Sequence, residues 1–208
     1  MRPGPESKIA AIVLAAGGAS RFERPKQLLK VEGRSLIRRT VDAAVEAGCR
    51  PVVVVVGSEA ERVRGELVAQ PVELTLNPQW SAGLSSSVRA GIAALEDRWP
   101  AVRAALFLTC DQPRVTSRVL RKVCDAFDGA PGRMVACRYA DTLGVPALFE
   151  RARFEELQQL RGDVGAKALL RRHPDDVRPV SWPDGALDID RPEDFERLGP
   201  STGEEPAS

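Results

Sequence analysis

The chain has 208 residues, with thirty Lys+Arg against twenty-nine Asp+Glu and a formal net charge of +1. That length suits one well-buried α/β domain, and the charge balance argues against a nucleic-acid binder driven by general basicity. The apolar fraction, 43%, is that of a soluble globule; no apolar run approaches the roughly 18 residues of a membrane span, and the start MRPGPESK lacks the apolar core of a signal peptide, so a cytoplasmic protein with no membrane partner is expected.

Ile9–Leu14 reads as a buried strand, a short apolar run ended by glycines. Ser35 to Gly48 reads as a helix with a Ser N-cap and a Gly stop. PVVVVVG, residues 51–57, does not alternate and so reads as a strand covered on both faces. An amphipathic helix follows from Ser58, then a strand in PVELTL, a helix from Ser85, a buried strand over Ala104–Asp111, a helix from Thr116 and a strand in RMVACRY. Beyond Tyr139 the pattern loosens. GVPALF fits a strand or a loop, FEELQQL and GAKALLRR look helical, VRPVSW looks like a strand, and PEDFERL is a helix with Pro192 in its first turn. Alternating strands and helices predict a single-domain, Rossmann-like three-layer α/β/α fold with a mostly parallel sheet. The domain is expected over 8–198, between polar, disordered ends at 1–7 and 199–208.

Four cysteines, Cys49, Cys110, Cys124 and Cys137, lie far apart with no C-x-x-C, so reduced thiols are expected and a zinc site is not. The single histidine, His173, sits in RRHPDD and reads as a surface loop residue. A mechanism built on a histidine base therefore starts weak.

The chemistry concentrates in IVLAAGGASRFERPKQLLK, residues 12–30. Ligands of open α/β sheets bind at the carboxyl ends of the strands, and the first strand ends at Leu14. Small residues let backbone N–H groups approach a ligand, and consecutive N–H groups make an anion cradle. Arg21 can grip phosphate oxygens in a fork, and Lys26 adds a point charge. The loop suits a polyphosphate, although it matches neither G-x-x-x-x-G-K-[ST] nor G-x-G-x-x-G. The bland alternative is a glycine-rich turn with solvated cations. Asp111 directly follows an apolar strand, where an ionised group is placed for a ligand or metal because it would be costly deeper inside. Mg²⁺ takes one or two carboxylates plus substrate phosphates. Asp188 and Asp190, in LDIDRPED, are the candidates for a second carboxylate, with an N-cap role as the alternative for Asp190. Cys110 is not read as a nucleophile, since no histidine is near in sequence to activate it.

These motifs together resemble a known family. LAAGGASRFERPKQLL resembles the nucleotidyltransferase signature L-A-A-G-x-x-x-R-[MF]-G-x-x-K-x-L-L. NPQWSAGLSSSVRAGI resembles N-x-x-W-x-x-G-[ML]-x-x-S-[LV]-x-x-G, and LTCDQPRV resembles the strand-end Asp-Gln-Pro of the same group. GVPALF, RGDVGAKALL and DIDRPEDFERL follow in the expected order. The whole is similar to the molybdenum cofactor cytidylyltransferase branch, from about Ile9 to Leu198. Glu23 replaces the usual loop glycine, and Val145 stands where some relatives carry a polar residue.

The resemblance implies transfer of CMP from CTP to the terminal phosphate of molybdopterin, with loss of pyrophosphate and Mg²⁺ (alternatively Mn²⁺) as cofactor. It implies catalytic roles for Arg21, Lys26 and Asp111. Nucleotide binding falls to Leu14, Ala15, Ala16, Gly17, Gly18, Gly57, Gly83, Ser85, Ser86 and Ser87, along with Arg21 and Lys26. The metal falls to Asp111, Asp190 and Asp188, and the acceptor to Gln112, Pro146, Gly162, Asp163 and Gly165. A molybdenum hydroxylase is the implied recipient of the product. Rival readings are the same transfer onto methylerythritol phosphate, a sugar phosphate or phospholactate, or with GTP; a nicotinamide-dependent oxidoreductase, which the missing G-x-G-x-x-G disfavours; and a non-catalytic molybdenum-cofactor chaperone.

Overall fold

In chain order the elements are strand β1 (Ile9–Ala15), a hairpin of β2 (Lys30–Val31) and β3 (Arg34–Ser35), helix α1 (Leu36–Glu46), β4 (Val52–Val56), α2 (Ala60–Glu66), β5 (Glu73–Leu76), α3 (Leu84–Arg98), β6 (Ala104–Thr109), α4 (Ser117–Asp125), β7 (Met134–Tyr139), β8 (Thr142–Glu150), α5 (Phe154–Gln158), α6 (Lys167–Arg172), β9 (Val177–Ser181) and α7 (Pro192–Glu196). The structure, a computed structural model, describes residues 8–18, 25–189 and 191–196.

Seven strands form one sheet in the order β5-β4-β1-β6-β8-β7-β9. All run the same way except β8, which is antiparallel to both β6 and β7. The valines of β4 are each at most 1% exposed, because β1 and β5 flank the strand and helices cover both faces. Ala11, Val13, Val54, Leu106 and Leu108 pack with α1, α2 and α4 on one face. Ala10, Ile12, Val53, Val55 and Phe107 pack with α3, α5 and α6 on the other. There Phe107 and Phe149 meet edge to face, 5.6 Å between centroids. Truncating either to Ala would cost about 3–5 kcal/mol.

Ser35 caps α1 as expected, its hydroxyl accepting from the Arg38 amide at 3.4 Å. Gly48 follows the helix with φ +88°, a backbone that costs glycine little. GVPALF proves to be the interior of β8. A two-residue turn at Ala140 and Asp141, both at positive φ, sends the chain straight back, and so short a link forces antiparallel pairing. The four cysteines are unlinked. His173 departs from the surface-loop expectation: it is half-buried at the end of α6, with Nε2 2.7 Å from Glu156 Oε2 on α5. Among the described residues no helix is long and apolar enough to cross a membrane.

Candidate nucleotide site

The chain runs from β1 to β4 and β5 on one side and returns to β6 on the other. The carboxyl ends of β1 and β6 therefore flank the point where strand order reverses, the usual ligand crevice of an open sheet. A cavity of about 270 Å³ lies there, lined by Leu14, Ala15, Gly17, Gly18, Lys26 and Asp111 among others. Gln27 explains how the loop is held. It is 5% exposed, and its amide Nε2 reaches Ala15 O at 3.4 Å and Gly17 O at 3.2 Å. The returning leg of the loop is thus bonded to the departing leg, which brings Lys26 to the cavity wall. Arg21 and Glu23 lie outside the described residues, as does Asp190.

A larger cavity of about 780 Å³ adjoins the first, sharing Gly17, Gly18 and Leu84, and adds Trp80, Gly83, Ser87 and Asp163. Trp80, 37% exposed, lies across two glycines. A Cβ on Gly18 would sit 3.1 Å from its ring, and one on Gly57 would sit 2.8 Å from its Cβ. Gly57 lines neither cavity; its bareness lets Trp80 close over the loop. Ala16 is 2% exposed, lines neither cavity and packs in the core beneath them.

The amides at the start of α3 already have partners. Asp163 Oδ1 accepts from the Leu84 amide at 3.3 Å, Gly162 O from Ser85 N at 3.2 Å, and Gly83 O from Ser86 N at 3.0 Å. Gly83 has φ +98°, and a Cβ there would lie 2.6 Å from the Gly162 backbone. The 162–163 turn is thus a cap on α3, which answers the orphan amides every helix start presents. Ser85 and Ser86 turn inward, at 1% and 3% exposure. Asn77, the first residue of the NPQW motif, donates to Ser86 Oγ at 2.8 Å and Ser87 Oγ at 3.0 Å. Of the three serines, Ser87 lines the cavity.

The residues assigned to an acceptor do not come together. Gly162, Asp163 and Gly165 gather at the start of α3, where a Cβ on Gly165 would press Leu84 at 2.7 Å. Gln112 and Pro146 are buried on the far side of β6. Gln112 Nε2 donates to Tyr139 Oη and to Gly185 O, each at 3.3 Å. Its Oε1 is buried without a partner.

Asp111 is half-buried, and no described group donates a hydrogen bond to its carboxylate. Its backbone carbonyl accepts from Ile189 N at 2.8 Å. Ile189 is fully buried, so this bond pins the segment carrying exposed Asp188 to the end of β6. Both carboxylates act on Tyr139, whose hydroxyl is pushed up to about 12, chiefly by burial, then by Asp188, with a smaller part from Asp111. Burial, and then the Asp111 charge, pushes the Cys110 thiol up; a protonated thiol donating to Leu14 O at 3.8 Å is a poor nucleophile. Among the described residues no three acidic, His or Cys side chains converge, so these residues build no closed metal cage. An unbonded carboxylate on a cavity wall, with a second nearby, fits a hard cation that takes one or two carboxylates and completes its shell with phosphates and water.

The description "MobA-like NTP transferase domain" matches residues 11–177. Nicotine blue oxidoreductase of Paenarthrobacter nicotinovorans is 29% identical over 202 residues, 91% of this chain and 96% of that protein. The crystal structure of Rv0371c from Mycobacterium tuberculosis H37Rv is 31% identical, with TM-score 0.77 over 94% of this chain and 98% of that one. A second structure of Rv0371c, described as a complex with manganese, is 31% identical with TM-score 0.75, over 92% and 98%.

Proposed function

The chain belongs to the MobA-like NTP transferase domain family and is an enzyme of the nucleotidyltransferase type; from that premise we propose that it transfers CMP from CTP to the terminal phosphate of molybdopterin, releasing pyrophosphate. One observation carries the reading: Gly17, Gly18, Lys26 and Asp111 line a single cavity where β1 and β6 end. Cation, open backbone and carboxylate are the parts a triphosphate reaction needs.

In this mechanism an acceptor phosphate oxygen attacks the α-phosphorus of CTP. A phosphate monoester is already largely dianionic near neutral pH, its second pKa being about 6, so no base is required. The site accords with that, since the histidine is engaged with Glu156 on α5. Backbone amides of the loop, Lys26 and Arg21 would hold the triphosphate and neutralise the departing pyrophosphate. Asp111, with Asp188 and Asp190, would hold Mg²⁺ or Mn²⁺, which when bound supplies charge neutralisation on the phosphate oxygens; the manganese complex of Rv0371c supports a divalent ion. The rest of the catalysis is alignment of two bound reactants. The choice of cytosine rests on Ala16, where the guanylyl branch carries glycine. Val145, where some relatives carry a polar residue, would make the acceptor side more apolar, which favours a pterin over a sugar phosphate.

A second reading has one observation behind it. The Paenarthrobacter relative is named an oxidoreductase, so redox chemistry on this scaffold is the alternative to transfer.

Thermal stabilisation by CTP, GTP, ATP and UTP, each with Mg²⁺ or Mn²⁺ and beside Asp111→Ala, tests the proposal. A metal-dependent shift by CTP that weakens in the variant is expected. Equal shifts by all four would remove the base assignment, and no shift by any would overturn the transfer reading. Mass spectrometry of the product identifies the acceptor, and oxidation of NADH without nucleotide turnover would favour the redox alternative.

A further inference from the structure

Tyr139, the single tyrosine of the chain, ends β7 and stands beside the cavity wall without lining it. Its ring meets Trp182 edge to face, 6.0 Å between centroids. Its hydroxyl donates to Val145 O at 3.0 Å and accepts from Gln112 Nε2 at 3.3 Å. The other amide hydrogen of Gln112 goes to Gly185 O. One hydroxyl thus joins the residue after Asp111, the wall of β8 and the 183–186 turn.

The three joined segments are those that regular pairing leaves loose. The β7–β8 register slips between Ala136 and Cys137, so that Ala136 faces Ala147 while Cys137 faces Gly144. Val145 and Pro146 fall in the slip and have no opposite residue, and the carbonyl that Tyr139 bonds is that of Val145. The space is closely filled. A Cβ on Gly144 would lie 3.0 Å from Tyr139 Cζ, and one on Gly185 would lie 2.7 Å from Trp182 Cζ3. Asp111 is held twice on the carboxyl side of its Cα, through its own carbonyl to Ile189 and through the next residue, Gln112, to Tyr139.

Gln112 is 3% exposed and keeps Oε1 without a partner. A buried orphan acceptor is destabilising, so a leucine of similar size would suit this place better if packing alone mattered. The amide remains because both its hydrogens are used. We infer that Tyr139 is a positioning residue: through Gln112 it fixes the direction of the Asp111 carboxylate, and through Val145 it ties that carboxylate to the acceptor wall. The inference rests on the metal role proposed above for Asp111.

Mn²⁺ binding in the presence of CTP, followed by the spin-resonance signal of free Mn²⁺, tests it without turnover. Tyr139→Phe keeps the ring and removes both bonds. Its Mn²⁺ midpoint should rise about tenfold, the low end of what losing a partner behind a metal ligand causes, while CTP binding without metal stays as in the wild type. Gln112→Leu should do the same, and the double variant should lose less than the product of the two singles, because the two share one bond. Should Tyr139→Phe fail to fold, Gln112→Leu carries the test. A wild-type midpoint in folded Tyr139→Phe overturns the inference, as do single effects that multiply in the double variant. Absence of CTP-dependent Mn²⁺ binding in the wild type sinks the metal role itself, and the inference with it.

Discussion

The two halves of the sheet's carboxyl edge are built on opposite plans. On the β1, β4 and β5 side the strands run out into Gly17, Gly18, Gly57 and Gly83, and the surface over them is one tryptophan and a capped helix start. On the β6, β8 and β7 side the ends are wired by the bonds among Gln112, Tyr139, Val145, Gly185, Asp111 and Ile189. The first half offers bare backbone, the form suited to a long flexible anion with many equivalent oxygens. The second holds the backbone that carries Asp111, the form suited to a reaction whose rate depends on alignment. On the mechanism proposed above, binding and alignment are separated along a single edge.

Asp111→Ala strikes the wired half and should have the largest effect. Turnover should fall about a hundredfold or more, the scale for one preorganised electrostatic group, with little change in melting temperature because no described group bonds the carboxylate. Near-normal kcat would take Asp111 out of the mechanism. Gly83→Ala strikes the open half. With φ +98° and the Gly162 backbone 2.6 Å from the new Cβ, it should cost about 1–3 kcal/mol in urea unfolding and raise the KM for CTP more than it lowers kcat. A kcat loss at unchanged KM would contradict the division of labour. The smallest effect is expected beneath the open half, where Glu156 braces α5 against α6 on either side of the 162–163 turn. Burial works to raise the Glu156 carboxyl, but Arg153 and His173 outweigh it and hold the carboxyl below its ordinary value. A lowered carboxyl stabilises the fold above the ordinary carboxylate range and loses that contribution as pH falls through the folded value. Glu156→Gln should therefore flatten the fall in stability between about pH 5 and pH 3, by less than about 1 kcal/mol, seen in urea midpoints across that range. An unaltered slope would remove the brace.

Much of the fold is legible in residue order because buried strands and amphipathic helices announce themselves locally. Val52–Val56 and Ala104–Thr109 carry no alternation, and Ser35 and Gly48 punctuate α1 as capping physics requires. The reversal of β8 is not legible in this way: Ala140 and Asp141 adopt positive φ without the Asn-Gly or Asp-Gly signal of such turns. At the site, Gly17, Gly18, Lys26 and Asp111 are suggested by type and place, since glycines and charges at strand ends have few other reasons to be there. Tyr139 is different. It matters through partners distant along the chain, and the burial of a lone tyrosine leaves no periodic trace. The cap formed by Asp163 on Leu84, 79 residues away, is likewise a tertiary fact.

The five valines of β4 also have a consequence before the fold exists. A flat, uncharged, β-branched run is what neighbouring chains zip together into fibrils. In the finished sheet β1 and β5 occupy both its edges, but during synthesis it emerges ahead of β5. Arg50 and Pro51 precede the run and Glu59 follows it, two charges and a proline that discourage such stacking. Replacing Glu59 with an apolar residue would remove one pair with Arg62 and should show chiefly in the yield of soluble protein.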